Sequence, residues 1–177
     1  MRIWPTVCGV AASLAFSAWQ LHPALIAALL APLLFAFAWA YYHLLLRPGV
    51  EIFEKFGGIH GFMNWPRSVL TDSGGFQIFS LPNSRVMREE GAEFRSYVDQ
   101  STIVLSPERS IATQRAIGSD IMMVLDQCVP STVEKHVALD AMELTHRWAK
   151  RSLDARGDSP QALFGIVQGA CYADLRV

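Results

Sequence analysis

Three short apolar runs, each finishing on a polar side chain, limit what this chain can fold into more than any other feature. Val69-Leu70-Thr71 leads to Asp72, Ile121-Met122-Met123-Val124-Leu125 to Asp126, and Leu163-Phe164-Gly165-Ile166-Val167 to Gln168. The second run is apolar throughout and suits a strand buried on both faces. Between the runs the pattern turns helical. Ser106-Pro107-Glu108 reads as a helix start, with a capping hydroxyl, proline at the first position and an acid in the first turn. Gly118 closes that helix after Ile117. A second helix over residues 133–155 carries Val137, Ala141, Leu144 and Trp148 at three- and four-residue spacing, an apolar stripe. Strands alternating with helices predict a parallel α/β architecture.

Two stretches interrupt the alternation. Residues 50–56 form a short helical turn ended by Gly57. Residues 85–104 contain Arg88-Glu89-Glu90-Gly91, a turn between extended pieces, and predict a β-hairpin inserted after the Asp72 loop. Arg147, Lys150, Arg151 and Arg156 are read as the wet side of the second helix rather than as an RNA-binding patch.

The run to Asp72 continues as Ser73-Gly74-Gly75-Phe76-Gln77. Two readings stand for it. It is a strand followed by a Gly-Gly turn with a capping aspartate. Alternatively it is a site: a carboxylate, two residues without Cβ for close backbone approach, a flat ring and an amide. In a barrel of parallel strands the carboxyl ends converge, which would bring Asp72, Asp126 and Gln168 together.

The charge balance narrows the partners. A net charge of −1 supplies no global positive field to draw in nucleic acid. Cys8, Cys128 and Cys171 are far apart in sequence and suggest neither a disulfide framework nor a zinc site. His43, His60, His136 and His146 have no metal-ligand spacing. Between Arg2 and Arg47 there is no charged residue, and Val7–Trp19 and Ala24–Tyr42 are almost wholly apolar. The second of these approaches the ~20 residues that cross a bilayer. Arg2 and Arg47 flank the pair as they would a helical hairpin with both ends in the cytoplasm. Three readings of residues 1–40 remain: a membrane anchor, a fused or misread start, and a core helix.

Ordered motifs then accumulate over residues 41–177. They are Tyr42-His43-Leu44 with Leu46-Arg47-Pro48-Gly49, Gly57-Gly58-Ile59-His60 with Phe62-Met63-Asn64-Trp65, and Leu70-Thr71-Asp72-Ser73-Gly74-Gly75-Phe76-Gln77. Leu105-Ser106-Pro107-Glu108, Gly118-Ser119-Asp120-Ile121 and Gly165-Ile166-Val167-Gln168-Gly169 follow. This series resembles the tRNA-guanine transglycosylases, which exchange an anticodon guanine for a 7-deazaguanine in queuosine synthesis. The resemblance implies a (β/α)₈ barrel, and 177 residues are short for the roughly 250 of a complete one. The expected fold is therefore a partial barrel with an inserted hairpin, behind the apolar segment.

By the same resemblance Asp72 is a general acid/base that also helps hold the base, while Ser73, Gly74 and Gly75 shape the pocket. The purine chemistry assigns the rest. Asp126 accepts from the N1–H and the exocyclic amine of guanine, Cys128 lines the pocket, and Gln168 donates to O6. Gly169 after it is the next base-binding residue, and Phe76 covers the ring. Adenine would leave such groups unsatisfied. The family's second aspartate, its nucleophile, has no match here, and Asp99 and Asp120 do not suit that role. Nor is there a match to its cysteine-rich zinc motif or basic tRNA-gripping region, so no cofactor is expected. Gly169-Ala170 stands where the family has Gly-Gly.

The expected function is thus a truncated transglycosylase that keeps base recognition. Its expected partners are guanine or 7-deazaguanine, tRNA in the intact family, and a second copy in a homodimer. Its expected place is the cytoplasm, with membrane association through residues 7–42 if those anchor it. One alternative is a non-catalytic membrane-associated module pairing with a full-length homologue. Another is a barrel hydrolase using Asp72 and Asp126 as an acid/base pair.

Overall fold

Parallel pairing brings the three polar tips to one side of the molecule. The computed structural model describes residues 44–80, 85–96 and 98–176. In it β4 (Ile121–Met123) pairs in parallel with β5 (Ala162–Phe164), Ile121 opposite Ala162 and Met123 opposite Phe164. On the other edge of β4, Leu70 makes a parallel bridge to Ile121, with Thr71 N–H donating to the Ile121 carbonyl at 3.0 Å. Residues 69–71, β4 and β5 therefore run side by side in the same direction. Their following residues, Asp72, Asp126 and Gln168, emerge at the same end.

The segment before Asp72 is less of a strand than its sequence predicts. It makes one bridge and then leaves β4, because Ser73 and Gly74 (φ 86°) bend the chain into α3 (Gly75–Ser80). The third apolar run is also only part strand: β5 stops at Phe164, pairs with β4 in a two-stranded sheet, and leaves Phe164 and Val167 53% and 66% exposed. The described residues form a mixed α/β fold and no closed barrel.

Helix α4 (Pro107–Ile117) forms as its caps predict. Ser106 Oγ accepts from Arg109 N–H at 3.2 Å, Pro107 sits at the first turn, and Gly118 (φ 78°) ends it in the left-handed region. Ahead of it lie α1 (Val50–Lys55) and α2 (Ile59–Met63), joined through Gly57 and Gly58. The long helix α5 (Lys135–Arg156) buries Ala138, Ala141, Leu144, Thr145, Trp148 and Ser152. Val137, predicted on its apolar stripe, is 37% exposed, and Ala138 faces inward instead. Ala141, Leu144 and Trp148 are buried as the stripe predicts, so it departs only at its first position, and α5 packs along α4.

The inserted hairpin is present and larger than expected. β1 (Arg85–Arg88) and β2 (Gly91–Arg95) pair antiparallel around Glu89-Glu90, and β3 (Thr102–Leu105) adds a third strand on the far side of β2. Phe94 and Leu105 enter the main core with Phe53, Ile78, Ile117, Leu125 and Trp148. Arg147 and Arg151 are more than a solvated face, whereas Lys150 is exposed and pairs within α5 to Asp154. Trp148 Nε1 donates to the Glu89 carbonyl at 2.9 Å, Arg147 pairs with the Glu89 carboxylate, and Arg151 forks onto Glu108 at 2.7 and 2.8 Å. They hold the hairpin turn and the start of α4 against α5.

Among the described residues no helix is long and apolar enough to cross a membrane. The readings of the apolar segment through residues 7–42 fall outside the described residues.

Candidate functional site

Asp126 is the centre of the polar end. It is 4% exposed, and Gln168 Nε2 donates to its Oδ2 at 2.7 Å. The same oxygen receives the Cys128 thiol at 3.2 Å. Burial and the neighbouring Asp126 charge push the Cys128 thiol far up, so it stays protonated and acts as the donor. The loop carrying these groups is held from α5: Thr145 Oγ1 accepts Gln127 N–H at 3.0 Å and donates to the Ala141 carbonyl at 2.8 Å.

Gly75 lies directly against the Asp126 carboxylate. A Cβ at that position would collide with the Asp126 carboxyl and carbonyl oxygens, so a residue without a side chain is a steric requirement here. The close approach that glycine permits is thus made first to Asp126. Gly74 supplies the turn before it.

Asp72 stands beside this arrangement, half-buried. Its Oδ1 accepts Ser73 N–H at 2.8 Å, and the buried Gln77 side chain bonds its carboxylate. Ser73 Oγ accepts Gly75 N–H at 3.3 Å. Burial raises the pKa of Asp72, against the lowering effect of the Ser73 and Gln77 bonds. Asp126 is also raised, by burial first, with Asp72's charge adding to it against the bonds from Cys128 and Gln168. Two carboxylates that repel one another in a poorly solvated place favour keeping a proton between them. Such a pair can accept hydrogen bonds from a ligand and also deliver a proton.

The remaining predicted residues fall as follows. Phe76 opens α3 with its ring 43% exposed and 6.2 Å from that of Phe79. Gly169 is buried in a left-handed conformation (φ 116°), and Ala170 after it is also left-handed (φ 46°), which a side chain resists. Asp120 and Asp99 lie apart from the polar end. Asp120 precedes β4, where it accepts Val69 N–H at 2.7 Å and meets His60 Nε2 at 3.1 Å. Asp99 shapes an exposed turn with Ser101. Among the described residues no group of three or more His, Cys, Asp or Glu could hold a metal ion.

Sequence reasoning missed the residues behind the site. Thr71, Ser110, Gln114 and Ser119 are all buried, and hydrogen bonds run between them and on to Ser73 and Met123. A signal for them existed. Gln114 stands three residues from both Ile111 and Ile117, on the inward stripe of α4, where a polar side chain requires buried partners.

A family model described as queuine tRNA-ribosyltransferase matches residues 27–177. The chain belongs to the queuine tRNA-ribosyltransferase family. The match begins inside the second apolar run, ahead of the motifs that first suggest the family. Among relatives named queuine tRNA-ribosyltransferase, that of Thioalkalivibrio sulfidiphilus is 56% identical over 135 residues, covering 76% of this chain and 36% of the relative. That of Pseudomonas aeruginosa is 54% identical over 136 residues, covering 77% and 37%. That of Francisella tularensis subsp. novicida is 53% identical over 135 residues, covering 76% and 37%. The chain thus spans little more than a third of the length of these curated relatives.

Proposed function

We propose that residues 41–177 carry the base-recognising part of a tRNA-guanine transglycosylase, an enzyme that exchanges a guanine of tRNA for a 7-deazaguanine. The observation that carries this reading is the direct bond between Gln168 and Asp126, beside the Asp72 carboxylate, at one end of parallel segments. Asp126 offers a carboxylate edge to the N1–H and amine of guanine. The Gln168 amide nitrogen has two hydrogens, so its bond to Asp126 leaves one for O6. Phe76, at the exposed start of α3, supplies the ring face. Asp72, its proton favoured by burial, serves as acid toward the departing base and as base toward the incoming one.

The parallel segments fit a portion of a (β/α)₈ barrel, whose carboxyl ends carry the site. Cleaving an N-glycosidic bond also needs a nucleophile. Among the described residues Asp99 and Asp120 are engaged elsewhere, so the contribution read here is recognition and proton transfer. A reaction on tRNA places the chain in the cytoplasm.

Competition calorimetry tests the reading. None of the assigned contacts uses N7 of the purine, so 7-deazaguanine should displace guanine at a similar concentration. A 7-deazaguanine that fails to compete would refute the assignment.

A further inference from the structure

We infer that Gln114 is a positioning residue that sets the Asp72 and Asp126 carboxylates relative to each other, by taking the place of a strand between their two backbone segments. The inference deepens the base-recognition reading and rests on it for its ligand.

The bonding is complete and directional. Gln114 is fully buried. Its Oε1 accepts Thr71 Oγ1–H at 3.0 Å and Met123 N–H at 2.9 Å. Its Nε2 donates to the Met123 carbonyl at 2.8 Å and to Ser110 Oγ at 3.2 Å. A side-chain amide has two acceptor positions and two hydrogens, so every one is used. An amide oxygen has no hydrogen, so Thr71 must be the donor to it. Thr71 has then spent its proton, and in the 2.7 Å contact with Ser119 the donor is Ser119. Ser110 in turn donates to the Ser73 carbonyl at 3.2 Å.

These partners flank both carboxylates. Thr71 precedes Asp72 and Ser73 follows it, while Met123 ends the strand that delivers Asp126. Leu70 lies opposite Ile121 in a parallel bridge, so continuing the register would bring Asp72 level with Met123. The ladder does not continue. At that level the Gln114 amide pairs with both backbone groups of Met123, as a neighbouring strand would. The Asp72 backbone is thereby released from β4 and turns into the Ser73-Gly74 bend. A strand paired through Met123 would hold Asp72 flat in the sheet.

A merely structural amide would alter melting and nothing else, so the test follows the carboxylates. The side-chain carboxyl carbons of Asp72 and Asp126 are titrated by ¹³C NMR in the ligand-free full chain, alongside guanine calorimetry. Gln114→Met keeps the length and removes all four bonds; it should change the spacing between the two titration midpoints and weaken guanine binding about tenfold. Thr71→Val, a milder change, should shift the midpoints in the same direction and decides the matter if Gln114→Met does not fold. Midpoints that match the wild type in the folded variant would overturn the inference, whatever happens to melting. Shifted midpoints in a chain that never binds guanine would leave Gln114 as the positioning residue and remove the base-recognition reading alone.

Discussion

The polar end and the hairpin dock use charged groups in opposite ways. At the polar end Asp126 is buried, held by Gln168 and Cys128, and backed by the Thr71–Gln114–Ser110 network. At the dock, Glu89, Arg147 and Glu108 keep about half of their side-chain surface in water while they tie β1–β2 and α4 to α5. Solvent screens the second set, so each pair contributes little. The first set is poorly screened, and burial there costs stability unless every group is bonded. The contrast separates a region shaped for chemistry from one shaped for assembly.

The largest expected effect comes from emptying the buried centre. Asp126→Ala should weaken guanine binding about a hundredfold, since two charge-assisted hydrogen bonds are worth about 1.5 kcal/mol or more each. Isothermal calorimetry reads this directly, and unchanged affinity would erase the distinction between the two regions.

The same residue should cost stability when it is charged. The folded pKa of Asp126 is raised above its ordinary 3.8 by burial. Over the interval from 3.8 to the raised value the folded chain holds more protons than the unfolded one, so stability falls as pH rises through it. Asp126→Asn should therefore melt higher than the wild type at pH 8 and equal to it at pH 3, as followed by circular dichroism. The opposite ordering would mean that the carboxylate stabilises the fold.

Ser152 sharpens the comparison from within α5. Its buried hydroxyl has no hydrogen-bond partner among the described groups, unlike those around Gln114. Ser152→Ala should stabilise by about 1 kcal/mol in urea denaturation, whereas Ser110→Ala should destabilise by a similar amount. Equal effects of the two changes would show that bonding in the network does not matter.

The smallest effect belongs to the exposed dock. Arg151 holds Glu108 down to a pKa of about 2 from its ordinary 4.5. This contribution is fully present above pH 4.5, shrinks below it and is lost as pH falls through about 2. With Glu108 half exposed, Glu108→Gln should cost below about 1 kcal/mol at pH 7 and clearly less at pH 2. A larger loss at pH 7 would make the dock a buried-type interaction.

What the sequence disclosed follows the same division. Local chemistry was legible: Ser106, Pro107 and Gly118 bound α4 because capping needs only near neighbours. The parallel arrangement was legible too, since short apolar runs between helices have few alternatives, and it brought Gln168 onto Asp126. Pairings across long stretches of chain were not. Arg151 reaching Glu108 and Trp148 reaching Glu89 depend on how the hairpin folds over α5, which no local pattern encodes. The third strand of the inserted sheet was hidden because Thr102–Leu105 alternates weakly and leans on β2 for its partners. Gln114 was legible only in part: its place between Ile111 and Ile117 marks it as buried, but its partners Met123 and Thr71 lie beside it only in the fold.

Calorimetric titration of the purified chain with guanine and, separately, adenine is the most direct measurement of whether Asp72, Asp126 and Gln168 grip one heterocycle together. Saturable binding of guanine and none of adenine at the same concentrations is the expected result. Adenine binding as tightly as guanine would contradict it.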